Sequence, residues 1–167
     1  MQRNNCWMCK KKMYSVLHKE IPIKRLIDES KEYYVIVPSN PHLFGHILIV
    51  LKKHCENLMS VNLEDLNILN KAVKKWSIIF GKAFDDCKRV YLACLNDEGH
   101  LHYHLFPIRD REKPDKEGHA LKWLGNLEEC TDKKPFEISS KAEKMARGEY
   151  IKEMVLFLKK QKKESGF

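Results

Sequence analysis

No long apolar run occurs in this chain. Nothing in its 167 residues approaches the roughly 18 consecutive apolar residues of a membrane-spanning helix. The amino-terminal MQRNNCWMCKKKM lacks the apolar stretch of a secretory leader. Internal repeats are absent, as are zinc-finger, helix-turn-helix and RNA-recognition signatures. The expected setting is therefore cytoplasmic, with no membrane partner. Without a secretory leader, six cysteines are not expected to form a disulfide framework. Cys55, Cys87, Cys94 and Cys130 are scattered and read as ordinary thiols, whereas Cys6 and Cys9 form a C-x-x-C.

What is present describes a globular chain. Hydrophobic residues make up 43% and charged residues 32%, a balance that builds a core rather than a disordered chain. The length fits one domain, or one domain with a tail. The formal charge is +8, supplied mainly by lysine, as in KKK at 10–12 and KKQKK at 159–163. Such a balance favours anionic partners, nucleotides, phosphates or nucleic acid, although any single run also reads as solvated surface.

The most informative stretch is NDEGHLHYHLFPI, residues 96–108. A strand alternates its side chains between two faces. As a strand, this segment sets His100, His102 and His104 on one face and Leu101, Tyr103 and Leu105 on a core face. Adjacent imidazoles repel when charged, so the site favours neutral rings, which serve as nucleophiles, bases or metal ligands. The competing reading is a polar strand face in solvent.

Around it, residues 24–28 and 33–38 read as two short strands joined by a turn. SNPHLFG is a loop, and HILIVLKKH begins a buried strand over 46–52. Asn62 is placed to cap a helix whose stripe is Leu66, Leu69, Val73, Trp76, Phe80 and Ala83. Residues 89–95 form a strand that pairs with the histidine strand as a hairpin. An apolar cluster lies at 120–124. A helical turn near Ser140, a break at Gly148, a helix over 149–158 and a disordered end from Gln161 complete the reading. The fold class is α+β, with a mostly antiparallel sheet of about five strands, one long helix and a C-terminal helix. The expected division is a catalytic domain over 1–135 and a helical extension with a basic tail over 136–167.

HLHYHLF, at 100–106, matches His-φ-His-φ-His-φ-φ with φ apolar, and the chain resembles the histidine triad (HIT) family of nucleotide hydrolases and transferases. HLFGHILIVLKKHCENL, at 42–58, is similar to that family's Gly-His-strand-Lys-Lys-His segment, and CWMC resembles its zinc-carrying branch. The resemblance covers 6–109. It implies His102 as nucleophile toward the phosphorus next to the nucleoside, with a nucleotidyl-imidazole intermediate. His104 would contact the phosphate or leaving group, and Asn96 would touch phosphate. His46 corresponds to a buried histidine near the site, or is simply a satisfied core histidine. His42 falls near the nucleoside pocket, and Ser39 or Asn40 near ribose. The chain departs from many members in two ways. Only three residues separate Asn96 from His100, so the usual loop donor to phosphate is missing and Arg109 becomes a candidate. Leu51 also stands where a proline is usual. His104 in the third position favours a hydrolase over a uridylyltransferase and leaves a phosphorylase open.

By itself, C-x-x-C is a zinc half-site, a redox pair or an accident. The resemblance implies a structural zinc held by Cys6, Cys9, His54 and His100, with no open position for catalysis. It further implies an adenine-containing substrate and a homodimer joined by the helix and a sheet edge. His18 and His119 read as solvent-facing, and Trp7, Trp76 and Trp123 as core or interface. The leading function is hydrolysis of dinucleoside polyphosphates or nucleoside phosphoramidates. Phosphorolysis, repair of adenylylated nucleic-acid ends and a non-catalytic zinc-stabilised nucleotide-binding module are the alternatives. The C-terminal third is expected to act as a lid or dimer contact near the site.

Overall fold

Residues 47–51, ILIVL, carry no polar side chain, so as a strand they need cover on both faces. The computed structural model, which describes Cys6, Met8, Cys9 and residues 25–39, 41–94, 99–109 and 141–167, shows how that cover is supplied. The elements run β1 (Leu26–Glu29), β2 (Tyr33–Ile36), β3 (Ile47–Leu51), α1 (Leu63–Ala83), β4 (Arg89–Ala93), β5 (His102–Ile108) and α2 (Lys141–Glu164). The strands form one antiparallel sheet in the order β1-β2-β3-β5-β4. β3 lies at its centre, buried along its whole length. The chain leaves β3 through α1, returns as the edge strand β4 and folds back as β5 between β4 and β3. This is the expected α+β architecture.

Both helices cover one face. Ile47, Ile49 and Leu51 of β3 join Leu101, Tyr103 and Leu105 in a core completed by Leu69, Ala72, Trp76, Ile79 and Phe80 of α1. The predicted α1 stripe is present, with Leu66, Val73 and Ala83 at its margin. Asn62 caps the helix, its side chain accepting from the Asp65 N–H at 2.7 Å. Glu64 and Asp65 in the first turn and Lys82 in the last suit the helix dipole. On the opposite face Leu48 and Val50 pack with Tyr34, Ile36, Cys6 and Met8.

The C-terminal segment differs from expectation. The helix begins at Lys141 and runs without a break through Gly148 to Glu164. A glycine inside a helix costs about 1 kcal/mol relative to alanine. Ile151, Met154, Val155 and Leu158, spaced three and four apart, bury one face in the core shared with α1. At about 1.5–3 kcal/mol per fully buried apolar side chain, that packing outweighs the glycine. Nor does order stop at Gln161. Lys162 Nζ lies 2.5 Å from Asp28 Oδ1, and Lys75 Nζ lies 2.9 Å from Asp28 Oδ2, which ties the end of α2 to β1 and α1. Burial raises the Asp28 carboxyl, but the hydrogen bonds and charges of Lys162 and Lys75 outweigh it and hold the group below its usual range.

His18, His119, Trp7, Trp123, Cys130, Asn40, Asn96, Ser140 and the 120–124 cluster lie outside the described residues. Among the described residues no helix is long and apolar enough to cross a membrane.

Because α2 shares the core of the sheet, Leu158→Ala is expected to destabilise the whole fold by about 2–5 kcal/mol. Urea unfolding followed by far-UV dichroism and tryptophan fluorescence should show one coincident transition. Two separated transitions would show α2 to be an independent unit.

Candidate functional site

β5 carries the alternation read from the sequence. Leu101, Tyr103 and Leu105 face the helices. His102 and His104 face the other way, opposite Val50 and Leu48 of β3, with Ala93 of β4 on the far side of His104. The strand begins at His102, so His100 lies in the bend that precedes it. His100 and His102 are 1% and 2% exposed, which rules out a polar face in solvent. A fourth ring joins them. His46, 1% exposed just before β3, lies with Nε2 3.1 Å from His104 Nδ1.

Gly45 makes that approach geometrically accessible. Its φ of +102° suits glycine, and a Cβ there would meet Pro107 Cγ at 2.6 Å and the Phe84 ring at 3.2 Å. The turn it forms is closed by the His46 N–H donating to the Leu43 carbonyl at 3.2 Å. Phe106, two residues beyond His104 on the same face, stacks on His46 at 4.2 Å between centroids.

The hydrogen bonds order the protons along this row. The backbone N–H of His42 can only donate, so His46 Nδ1 accepts from it at 3.3 Å. A neutral His46 then carries its proton on Nε2 and donates to His104 Nδ1. His104 in turn carries its proton on Nε2, 3.0 Å from His102 Nε2. His102 is left with its proton on Nδ1, which donates at 2.7 Å to the His100 carbonyl, a group that can only accept. Both backbone ends demand the same tautomers, and the assignment follows from them. The lone pair of His102 Nε2 thus faces the Nε2–H of His104.

The neutrality this requires has physical causes. Burial, and then the neighbouring His104, His42 and His102, hold His46 well below the usual imidazole value. Burial, with His102 and His42, lowers His104 to about 3. Burial lowers His42 as well.

His100 turns its ring to a second cluster. Its Nε2–H donates to the Leu51 carbonyl at 2.8 Å, leaving Nδ1 unprotonated 3.2 Å from Cys6 Sγ and 3.4 Å from Cys9 Sγ. His54 Nδ1 lies 3.4 Å from Cys9 Sγ, and its Nε2 lies 4.0 Å from Glu56. The four donor atoms fall within 4.8 Å of one another. Tetrahedral zinc with Zn–S near 2.3 Å and Zn–N near 2.0–2.1 Å has S···N edges of about 3.6 Å, so the donor set and spacing fit that ion. The Leu51 carbonyl orients the His100 imidazole from behind.

The other sequence candidates are placed differently. Ser39 is exposed. Arg109 is 5% exposed, with its guanidinium 5.0 Å above the Phe84 ring, among the aromatics that back Gly45. Sequence reasoning missed three contributors: the His42 N–H, the Leu51 carbonyl and the Phe106 ring. The first two are backbone atoms with no side-chain signature. Phe106 was legible, since it continues the alternation His102, His104.

Histidines held neutral below their unfolded value bind protons more readily when the chain unfolds. Their stabilisation is complete above about pH 6.5 and is lost as pH falls toward the folded values. Between pH 6.5 and 5, above the carboxylate range, stability should fall by up to about 1.4 kcal/mol per pH unit for each such ring. Chemical denaturation across this window should show a shallower slope for His104→Gln.

A family model described as HIT domain matches residues 18–111. No curated protein matches the sequence. Solved structures do. A Zn-bound histidine triad family protein from Mycobacterium smegmatis aligns over 93% of this chain and 96% of its own, at 14% identity and a TM-score of 0.55. A HIT family member from Bacillus subtilis aligns over 78% and 96%, at 20% identity and a TM-score of 0.52. At these identities the likeness is one of fold. The matched residues take in both histidine segments and the helix between them, more than half of the chain, and with His100, His102 and His104 set in alternation at β5 the chain belongs to the histidine triad family.

Proposed function

We propose that the chain is a nucleotidyl hydrolase that cleaves dinucleoside polyphosphates or nucleoside phosphoramidates to a mononucleotide. The observation that carries this reading is the proton order from His42 to His100, which leaves one imidazole lone pair, on His102 Nε2, beside one imidazole donor, on His104 Nε2. In the first step His102 Nε2 attacks the phosphorus next to the nucleoside. A P–N bond forms, and the bond to the leaving group breaks with its electron pair. The Nε2–H of His104 meets the charge on the departing atom. The cationic adduct is stabilised by its Nδ1–H on the His100 carbonyl. Water then attacks the same phosphorus, the P–N electrons return to His102, and the water proton passes to solvent. One difficult displacement becomes two easier ones.

In this reading Asn96, Asn40 and Ser39 contact phosphate and ribose, as the family resemblance implies, and adenine is the expected base. Zinc held by Cys6, Cys9, His54 and His100 is structural, since four protein ligands leave no open position. The chain is further proposed to pair as a homodimer through β4 and α1. The exposure of Leu92 on that edge strand, 47%, and of Ile78, 37%, supports this surface.

Mononucleotide release from diadenosine polyphosphates and an adenosine phosphoramidate is expected from the wild type. His102→Ala should reduce it by at least roughly 10³-fold. Turnover that survives in His102→Ala would overturn the assignment of the nucleophile, and none from either substrate with the wild type would overturn the hydrolase reading.

Native mass spectrometry should find one zinc per chain, lost in Cys6→Ser together with a lower melting temperature. A metal-free wild type would refute the zinc assignment.

A further inference from the structure

We infer that Phe157 of α2 is a positioning residue for His46, acting through Phe44. The inference extends the proposed use of the histidine row, and its first readout does not depend on that use. Phe44 stands between His42 and His46 in the loop that supplies the row with its terminal donor and its buried ring. Its own ring points away from the histidines into an aromatic cluster. The Phe157 ring lies 5.4 Å from it at 62°, the Tyr150 ring 5.8 Å at 74°, and the Phe84 ring 6.4 Å at 84°. Phe84 and Phe157 stack on each other at 5.4 Å and 30°. Edge-to-face and offset arrangements of this kind are the preferred ones for aromatic rings.

The cluster acts on a turn with little freedom. A Cβ on Gly45 would already collide with Pro107 and Phe84, and His46 is held by Phe106 and His104. Phe44 is thus the lever between a fixed helix and the histidine row. α2 is a firm backing, because Ile151, Met154, Val155 and Leu158 sit in the core and Lys162 is tied to Asp28. Hydrogen bonds require close approach. A displacement of about 0.5 Å takes the His46–His104 contact from 3.1 Å beyond bonding range. Removing the Phe157 ring leaves space beside Phe44 for a shift of that size. α2 lies beyond residues 18–111, so this buttress comes from the part of the chain that the family match does not reach.

The test is long-range ¹H–¹⁵N correlation spectroscopy of the histidine rings in the full chain at pH 7.5. In the wild type His46 and His104 should each show a single tautomer with the proton on Nε2. Phe157→Ala should convert both to tautomer mixtures, while Phe157→Tyr, which keeps the ring, restores the single forms. Leu156→Ala is the control, on the same turn but 60% exposed, and should match the wild type. Phe44→Leu, which removes the contact from the loop side, should reproduce the Phe157→Ala spectrum. It decides the matter if Phe157→Ala does not fold. On substrates that the wild type turns over, Phe157→Ala should lower kcat roughly 10-fold with KM little changed. Single, wild-type tautomers in either folded variant would overturn the inference. A wild type inactive on every substrate but showing the tautomer change would sustain the positioning role and overturn the hydrolase reading instead.

Discussion

The hydrogen bond from His102 Nδ1 to the His100 carbonyl, at 2.7 Å, is the interaction on which the rest of the site depends. It is the one place where the proton order of the row meets a group that cannot donate. Reverse it, and the lone pair of His102 turns inward and the row loses its sense from His46 onward. The carbonyl is fixed because the same residue is fixed. The His100 ring donates to Leu51 and aims its other nitrogen at Cys6 and Cys9. The metal-type cluster and the catalytic-type row therefore share one residue. The ring of His100 serves the first and its main chain the second.

That arrangement needs a sheet with two different faces. β3 is apolar throughout, and its neighbours divide its surroundings. Ile47, Ile49 and Leu51 look toward two helices, and Leu48 and Val50 toward the histidines and toward Cys6 and Met8. The low pKa of His104, about 3, follows chiefly from that burial. Polar rings tolerate the apolar setting because each finds a partner in the next.

Much of this was legible in residue order. Period-two alternation placed Tyr103 and Leu105 in the core and His102 and His104 opposite them, because a strand has no other way to dispose of them. Asn62 announced the start of α1, and the three-and-four spacing of Leu69, Trp76 and Phe80 announced its buried face. The C-terminal segment was misread for a reason of the same kind. Gly148 and the run of lysines weigh against an ordered helix on local propensity. The burial of Ile151, Met154, Val155 and Leu158, and the ion pair of Lys162 with Asp28, are contacts with elements far earlier in the chain. Arg109 was a candidate for phosphate contact because the usual loop donor is missing, and only the fold shows that its guanidinium lies over the Phe84 ring.

The sequence by itself determined which residue types could meet. The alternating histidines, the Gly-His pair before an apolar strand, the C-x-x-C and the helix between them follow from short-range periodicity and from the conformations that glycine and asparagine permit. Tertiary structure alone decided the direction of every proton in the row, because both of its ends are backbone groups, brought up by the loop at Gly45 and the bend before β5. It alone decided that Phe157 would lie against Phe44, since that contact depends on α2 crossing β1 and α1. Side-chain chemistry is written in the order of residues. The orientation of one imidazole toward the next depends on distances of a few tenths of an ångström, and packing sets those only when the whole chain has folded.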